Sequence, residues 1–353
     1  MPKHYSKVEI TKLPQSEIEI KAEISASIVD SLKATTMKEM AKNINLPGFR
    51  KGNVPESVAK KHIDEMTILS SASEQAIQNA YQEIVENEKL LVLGNPQISI
   101  TKLAQGNPLL FSARTAILPE VILPNYKSIA KDEMTKEEKK VEVTEKEVDD
   151  VILEIRKKKT HDQIHGEKVS HDSHAPIEER DLPELTDEFA KSLGEFSSVA
   201  DLKTKIKENI KKERERQAED KKRAAIFESI IEKTKCDVPK ILIENEQGKL
   251  ILQLKENLQK AGIPYDEYLK QIKKSEEEIK NELKDDAEKK AKFQLILNEI
   301  AQKEKIEADG DKVRAETEKV LILYPDSDPA RARAYIAMML TNQKVVEFLE
   351  NQK

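Results

Sequence analysis

The first clear pattern along the chain is a strict alternation. In QSEIEIKAEIS (15–25), Ile18, Ile20, Ala22 and Ile24 face one way, and Glu17, Glu19, Lys21 and Glu23 face the other. A period of two predicts a half-buried β-strand, and VEITKL just before it is its expected hairpin partner. From Ser27 to Lys42 the period lengthens to that of a helix, with Ile28, Leu32, Met37 and Met40 as its apolar positions. A short loop, LPGFRKGNVPE (46–56), interrupts this pattern. Pro55 suits the first turn of the next helix, where its missing N–H costs nothing, and Glu56 is favourable near the positive helix end. That helical pattern runs to about Glu88, and PQISITKLAQGNPLLFSARTAIL then predicts a second hairpin turning at Gly106-Asn107-Pro108. Residues 1–125 therefore read as a small α+β domain, two hairpins with helices between them.

LPEVILPNYKSI, with prolines at 119 and 124, reads as an extended connector. Thr144-x-x-Glu147 is a capping box, followed by a stripe of Val148, Val151, Ile152 and Ile155 on a helix expected to end in Arg156-Lys-Lys-Lys159. THDQIHGEKVSHDSHAP then reads as a polar loop, and everything after Asp187 as helical. Leu202, Ile206 and Ile210 recur at four-residue spacing before KKERERQAEDKKR, which has almost no apolar face and reads as an extended solvated arm. Breaks are expected at Pro239 and at Gly262-Ile-Pro264, and Ser275-x-x-Glu278 should cap a further helix. The fold class is an α+β N-terminal domain joined to a mainly α-helical C-terminal domain with extended arms.

Composition narrows the function. Charged residues make up 36% of 353 residues and aromatics 4%, with nine glycines and no Trp, a balance that suits long solvated helices. One cysteine, Cys236, excludes an internal disulfide framework and any multi-cysteine metal site, and a buried structural thiol is the expected role. With neither a signal-peptide pattern nor an 18-residue apolar run, a cytoplasmic protein with no membrane contact is expected. No P-loop, dinucleotide fingerprint or nucleophile elbow occurs, so neither a cofactor nor catalytic residues are expected. Four of the six histidines (His161, His165, His171, His174) fall in the polar segment. His161 and His165 stand at i, i+4, a spacing that on a helix could bind a transition metal. Gly166 and the Asp/Ser-rich surroundings favour a solvated loop instead, so no metal is expected.

The net charge of −6 conceals a local excess of the other sign. Lys38 to His62 carries six cations (Lys38, Lys42, Arg50, Lys51, Lys60, Lys61) against Glu39 and Glu56, a local +4. Such a patch on an acidic molecule points to one localised acidic partner. At its centre, Gly48 and Gly52 permit a sharp reversal that exposes Phe49, Arg50 and Lys51. The ring has two uses: a plug folded onto its own domain, or an anchor for a partner's apolar notch with the cations pairing around it.

Gly48, Phe49, Arg50, Gly52 and Pro55, G-F-R-x-G-x-x-P, match the ribosome-docking signature of the trigger factor family. DLPELTDEFAKSLG (181–194) resembles the segment by which that family enters its C-terminal domain, and KTKCDVPKILIENE (233–246) its D-V-P-x-x-L-I-x-x-E turn between arm helices. The resemblance implies a ribosome-associated, ATP-independent chaperone that shields apolar segments of nascent chains. Gly48, Phe49, Arg50, Lys51, Gly52 and Pro55 would be its ribosome-binding residues, with Phe49, Arg50 and Lys51 contacting a tunnel-exit protein and nearby ribosomal RNA. Asn53 stands where relatives often carry a cation, which implies weaker docking. The family can self-associate, leaving a homodimer open. Trigger factors usually insert an FKBP-like prolyl isomerase between the linker helix and L-P-E-L-T, but only residues 160–180 separate those landmarks here, with no aromatic for a proline pocket. The isomerase domain is therefore expected to be absent, with residues 126–180 a linker and 181–353 the helical substrate-binding domain. Client contacts are expected in ILIENEQGKLILQL and AYIAMMLTNQKVVEFL, at Ile241, Ile243, Leu250, Leu252, Met338 and Met339; helix-pair core is the competing use of the same residues. A helical scaffold, or a general chaperone acting off the ribosome, is the alternative function.

Overall fold

The computed structural model describes residues 3–44, 46, 49, 55–136, 142–165 and 182–352. The described residues form two compact units, each discontinuous in sequence: residues 1–124 with 233–342, and residues 125–232 with 343–353.

In the first unit, β1 (Lys7–Leu13) and β2 (Glu17–Ile24) form the predicted hairpin, and β3 (Val92–Lys102) and β4 (Leu109–Ile117) the second. β2 pairs with β4, giving a four-stranded antiparallel sheet of order β1-β2-β4-β3. Ile18, Ile20, Ala22 and Ile24 lie opposite Thr115, Ala113, Phe111 and Leu109. All eight are buried, as the period-two pattern requires. Helices α1 (Ala26–Asn43) and α3 (Glu65–Asn87) cover that face. α3 approaches closely because Ala72, Ala76 and Ala80 are small and fully buried. On α1 the fully buried positions are Val29, Thr36 and Ala41 rather than the larger Ile28, Leu32, Met37 and Met40, which are half-buried along the sides of that face.

The helix expected to run unbroken to Glu88 is two helices. α2 (Glu56–His62) stops at Ile63, and the Asp64 carboxylate accepts the Met66 N–H at 3.1 Å to start α3. Farther along the first unit, α8 (Lys240–Lys260), α9 (Tyr265–Ile272), α10 (Glu276–Glu282) and α11 (Lys284–Glu304) begin at the predicted breaks. Pro239 and Pro264 are N-caps, and Ser275 with Glu278 forms a complete capping box. α8 packs on α11 through Ile243, Ala287, Ala291 and Leu295. α12 (Gly310–Leu323) and α13 (Pro329–Glu350) complete the chain, with α13 passing from the first unit into the second.

The second unit opens with α4 (Tyr126–Met134), where an extended connector was expected. Extended chain ends at Asn125, whose side chain accepts the Ser128 N–H at 3.2 Å and so caps the helix. α5 (Glu145–His165), α6 (Asp187–Ser192) and α7 (Val199–Lys233) share a small core of Val148, Ile152, Ala190, Leu202 and Ile206. Val151, expected in that stripe, is 37% exposed. α5 also runs past Lys159, because neither Gly nor Pro stops it before Gly166. Its cations turn back to the chain: Arg156 Nε donates to the Pro183 carbonyl at 2.8 Å and Lys159 Nζ to that of Ser192 at 3.4 Å. The polar stretch of α7, Lys211–Arg223, is largely exposed, as its sequence implied.

Candidate functional site: a docking loop and an apolar helical tip

The loop bearing Phe49 leaves α1 at Ile44 and re-enters helix at Pro55. A separate small cluster pins both roots: Ala41 and Ala59 are buried, with Met37, Ile44, Leu46, Val58 and Ile63 packed around them. Pro55 caps α2, its carbonyl accepting the Val58 and Ala59 amides at 2.9 and 3.0 Å. The Phe49 N–H donates to the Leu46 carbonyl at 3.1 Å, while the residue stays 40% exposed and outside the pinning cluster. Of its two possible uses, this exposure favours the anchor over the plug. Gly48, Arg50, Lys51 and Gly52, with Asn53, lie outside the described residues. Lys33, Lys38, Lys60, Lys61 and His62 line an open groove between α1 and the α2–α3 junction, beside Asp64 and Glu65. Sequence reasoning passed over Lys33 and His62 as groove residues, since only folding brings α1 beside α2.

The client-contact candidates separate by burial. Ile243 is 4% exposed, in the α8–α11 core, and Leu250 packs partly against the same cluster. Ile241 faces β3 with its Cδ1 against Gly94, where a φ of 71° favours glycine. Leu252, about three turns farther along α8 from Ile241, is 58% exposed, and Met338 and Met339 on α13 are 37% and 44% exposed.

A stronger apolar surface lies at the α12–α13 turn. Ile322, Leu323 and Tyr324 are 78%, 73% and 64% exposed, and Tyr335, one turn before Met338 and Met339, is 61% exposed. On the same two helices Val313, Thr317 and Ile336 are buried. The available signal was the run Val320–Tyr324 ending directly at PDSDP, an apolar helix end at a polar turn.

The remaining chemistry is quiet. Burial pushes the Cys236 thiol up, the leading effect there, and keeps it protonated. His161 lies on α5, not in a loop; His171 and His174, and the side chain of His165, fall outside the described residues. Among the described residues no three His, Cys, Asp or Glu side chains gather where a metal ion could sit. No described helix is long and apolar enough to cross a membrane.

Two family models match the chain: bacterial trigger factor protein (TF) over residues 6–155 and its C-terminus over residues 198–353. Between residues 155 and 198 no FKBP-type domain matches. The trigger factor of Clostridium botulinum strain Langeland is 23% identical over an alignment covering 98% of this chain and 99% of that protein. That of Halothermothrix orenii is 26% identical, covering 97% and 98%. The first alignment runs over 425 positions against 353 residues here, so the relative holds segments this chain lacks. A solved chain described under "Promiscuous Substrate Recognition in Folding and Assembly Activities of the Trigger Factor Chaperone" shares the fold, with a TM-score of 0.54 over 99% of this chain and 100% of that one, at 16% identity. An α+β domain with a GFR-bearing loop, helices entered through DVP and two ordered family matches lead to one conclusion: the chain belongs to the trigger factor family.

Proposed function

We propose that this protein is a ribosome-associated, ATP-independent chaperone of the cytoplasm, without isomerase activity of its own. It docks at the tunnel exit through Gly48, Phe49, Arg50, Lys51, Gly52 and Pro55, and it shields apolar segments of nascent chains on its helices. The observation that carries the reading is the α12–α13 tip, where Ile322, Leu323, Tyr324 and Tyr335 lie in water although the chain has few aromatics to spare. Three successive exposed apolar side chains at a helix end, with Tyr335 exposed on the next helix, are the kind of surface that marks an interaction site. Tethering raises the local concentration of a weak binder, so its contacts can remain loose enough to release a client. Exposed Phe49, and a cationic groove that shares Met37 and Ile63 with the cluster at the loop's roots, support the docking half, a ring for a protein notch and cations for RNA phosphates.

Cosedimentation with ribosomes tests the proposal. Phe49→Ala/Arg50→Ala/Lys51→Ala should leave the protein in the supernatant at salt concentrations where the parent pellets. Equal pelleting of the two would end the tethering claim. Client binding that persists without any ribosome binding by the parent would favour a general chaperone acting off the ribosome.

A further inference from the structure

The segment linking α7 to α8 makes repeated contacts with the sheet domain inside the first unit. Ile122 and Lys235 exchange main-chain hydrogen bonds at 2.9 and 3.2 Å, an isolated antiparallel bridge. The Asp237 carboxylate accepts the Ser16 N–H at 3.0 Å, while Ser16 Oγ donates to the Asp237 carbonyl at 2.6 Å. Val121 and Cys236 pack with Val238 and Ile243, and Ile241 closes on Gly94 at the β3 irregularity.

Ser16 is an unexpected residue at its position. The three-residue turn between β1 and β2, residues 14–16, places Gln15 at φ 59° and Ser16 at φ 50°. A left-handed position favours glycine, because a side chain there crowds the following carbonyl oxygen. Local chemistry therefore asks for glycine at 16, but glycine has no hydroxyl to give to Asp237. We propose that Ser16 and Asp237 form a latch that fixes the root of α8 on the docking domain, and that they act as positioning residues. The turn keeps a locally unfavourable side chain because that side chain makes the contact between the two segments. The functional consequence rests on the tethering reading above: a docked domain can aim a helical arm at a client only when the arm's root is held on it.

Ser16→Gly separates positioning from stability, since it relaxes the turn while deleting the latch hydroxyl. Hydrogen exchange on the full-length protein, free of ribosomes, is the readout, with Asp237→Ala as second variant and Asp237→Asn, which keeps an acceptor oxygen, as conservative control. In Ser16→Gly and Asp237→Ala the amides of Ile122 and Lys235 should exchange about five- to tenfold faster, the change expected on losing one hydrogen bond. The β1–β2 ladder should keep its protection, and Asp237→Asn should resemble the parent. Unchanged exchange at Ile122 and Lys235 in both variants overturns the latch, as does a rise shared equally by the whole sheet. No ribosome enters the measurement, so failure here is distinct from failure of the tether.

Discussion

Replacing Ile322, Leu323 and Tyr324 together by serine perturbs the proposed client surface at its most exposed point. The three side chains are 78%, 73% and 64% exposed, so folding gains little from them. Surface substitutions of that kind change stability by about 0.5 kcal/mol or less each. On a client the balance reverses. Fully burying one large apolar side chain is worth about 1.5–3 kcal/mol, and roughly two thirds to three quarters of each chain is still there to be covered. The ceiling is about 3–6 kcal/mol for the trio. Incomplete coverage and the ordering of a flexible client remove most of it. A residual loss of about 1.4 kcal/mol corresponds to tenfold weaker binding. Fluorescence anisotropy of a labelled, permanently unfolded polypeptide measures the affinity, and a thermal melt serves as control. Ile243→Ala supplies the opposite pattern: at 4% exposure it should cost about 2–4 kcal/mol of stability and lower the melting temperature. Client affinity within twofold of the parent for the serine triple, with an unchanged melt, refutes the assignment of the tip.

Other consequences are testable with simpler means. Docking should weaken as salt rises, because lysine and arginine contacts to RNA release counterions, and the Phe49/Arg50/Lys51 triple variant should show a shallower salt slope for whatever binding remains. Glu147 accepts from Arg214 first and from Thr144 second, which pulls its carboxyl from 4.5 down to about 2. A depressed folded-state value means that its contribution is present above pH 4.5 and is lost as pH falls through about 2. The gap in melting temperature between the parent and Glu147→Gln should therefore be constant near neutrality and close between those values; a gap independent of pH refutes the pairing. Cys236, half-buried with its thiol pushed up by burial, should react with a maleimide more slowly than a free cysteine near neutral pH and reach the free rate on denaturation.

The sheet and its helices were legible because one face is dry. Ile18, Ile20, Ala22 and Ile24 announce both strand and facing in eight residues, and a one-residue slip would expose all four. Capping chemistry was equally legible at Thr144, Ser275, Pro239 and Pro264, where a local hydrogen bond or a missing N–H decides the boundary. Less legible were ends set by small donors inside polar text, such as Asp64 between α2 and α3 and Asn125 before α4. The sequence also held no sign that residues 233–342 fold with residues 1–124. That association runs through Ser16, Gly94 and Ile122, three positions with no periodicity to report. Residue type alone could not divide the client candidates either: Ile241, Ile243 and Leu252 share one apolar helix, yet they face β3, a core and water respectively.

The allocation of aromatic residues connects these surfaces to the fold. Fourteen Phe and Tyr residues serve the whole chain. A core of ordinary make-up would claim most of them, but the sheet domain is filled largely with isoleucine against alanine: Ile20, Ile24, Ile77 and Ile84 beside Ala76, Ala80 and Ala113, with Phe111 and Tyr5 as its buried rings. Small-against-branched packing lets such a core close with few rings. Phe49, Tyr324 and Tyr335 are thereby left in water at a pinned loop and a helical tip. Exposed rings invite self-association unless charge keeps molecules apart, and 36% charged residues with a net −6 supply that repulsion. The same charge hinders nonspecific contact while leaving the cationic groove between α1 and the α2–α3 junction attractive to an anionic partner. The composition that first suggested solvated helices thus fits the proposed function: its charge disfavours self-association of an exposed aromatic-bearing surface and leaves that surface open to a client.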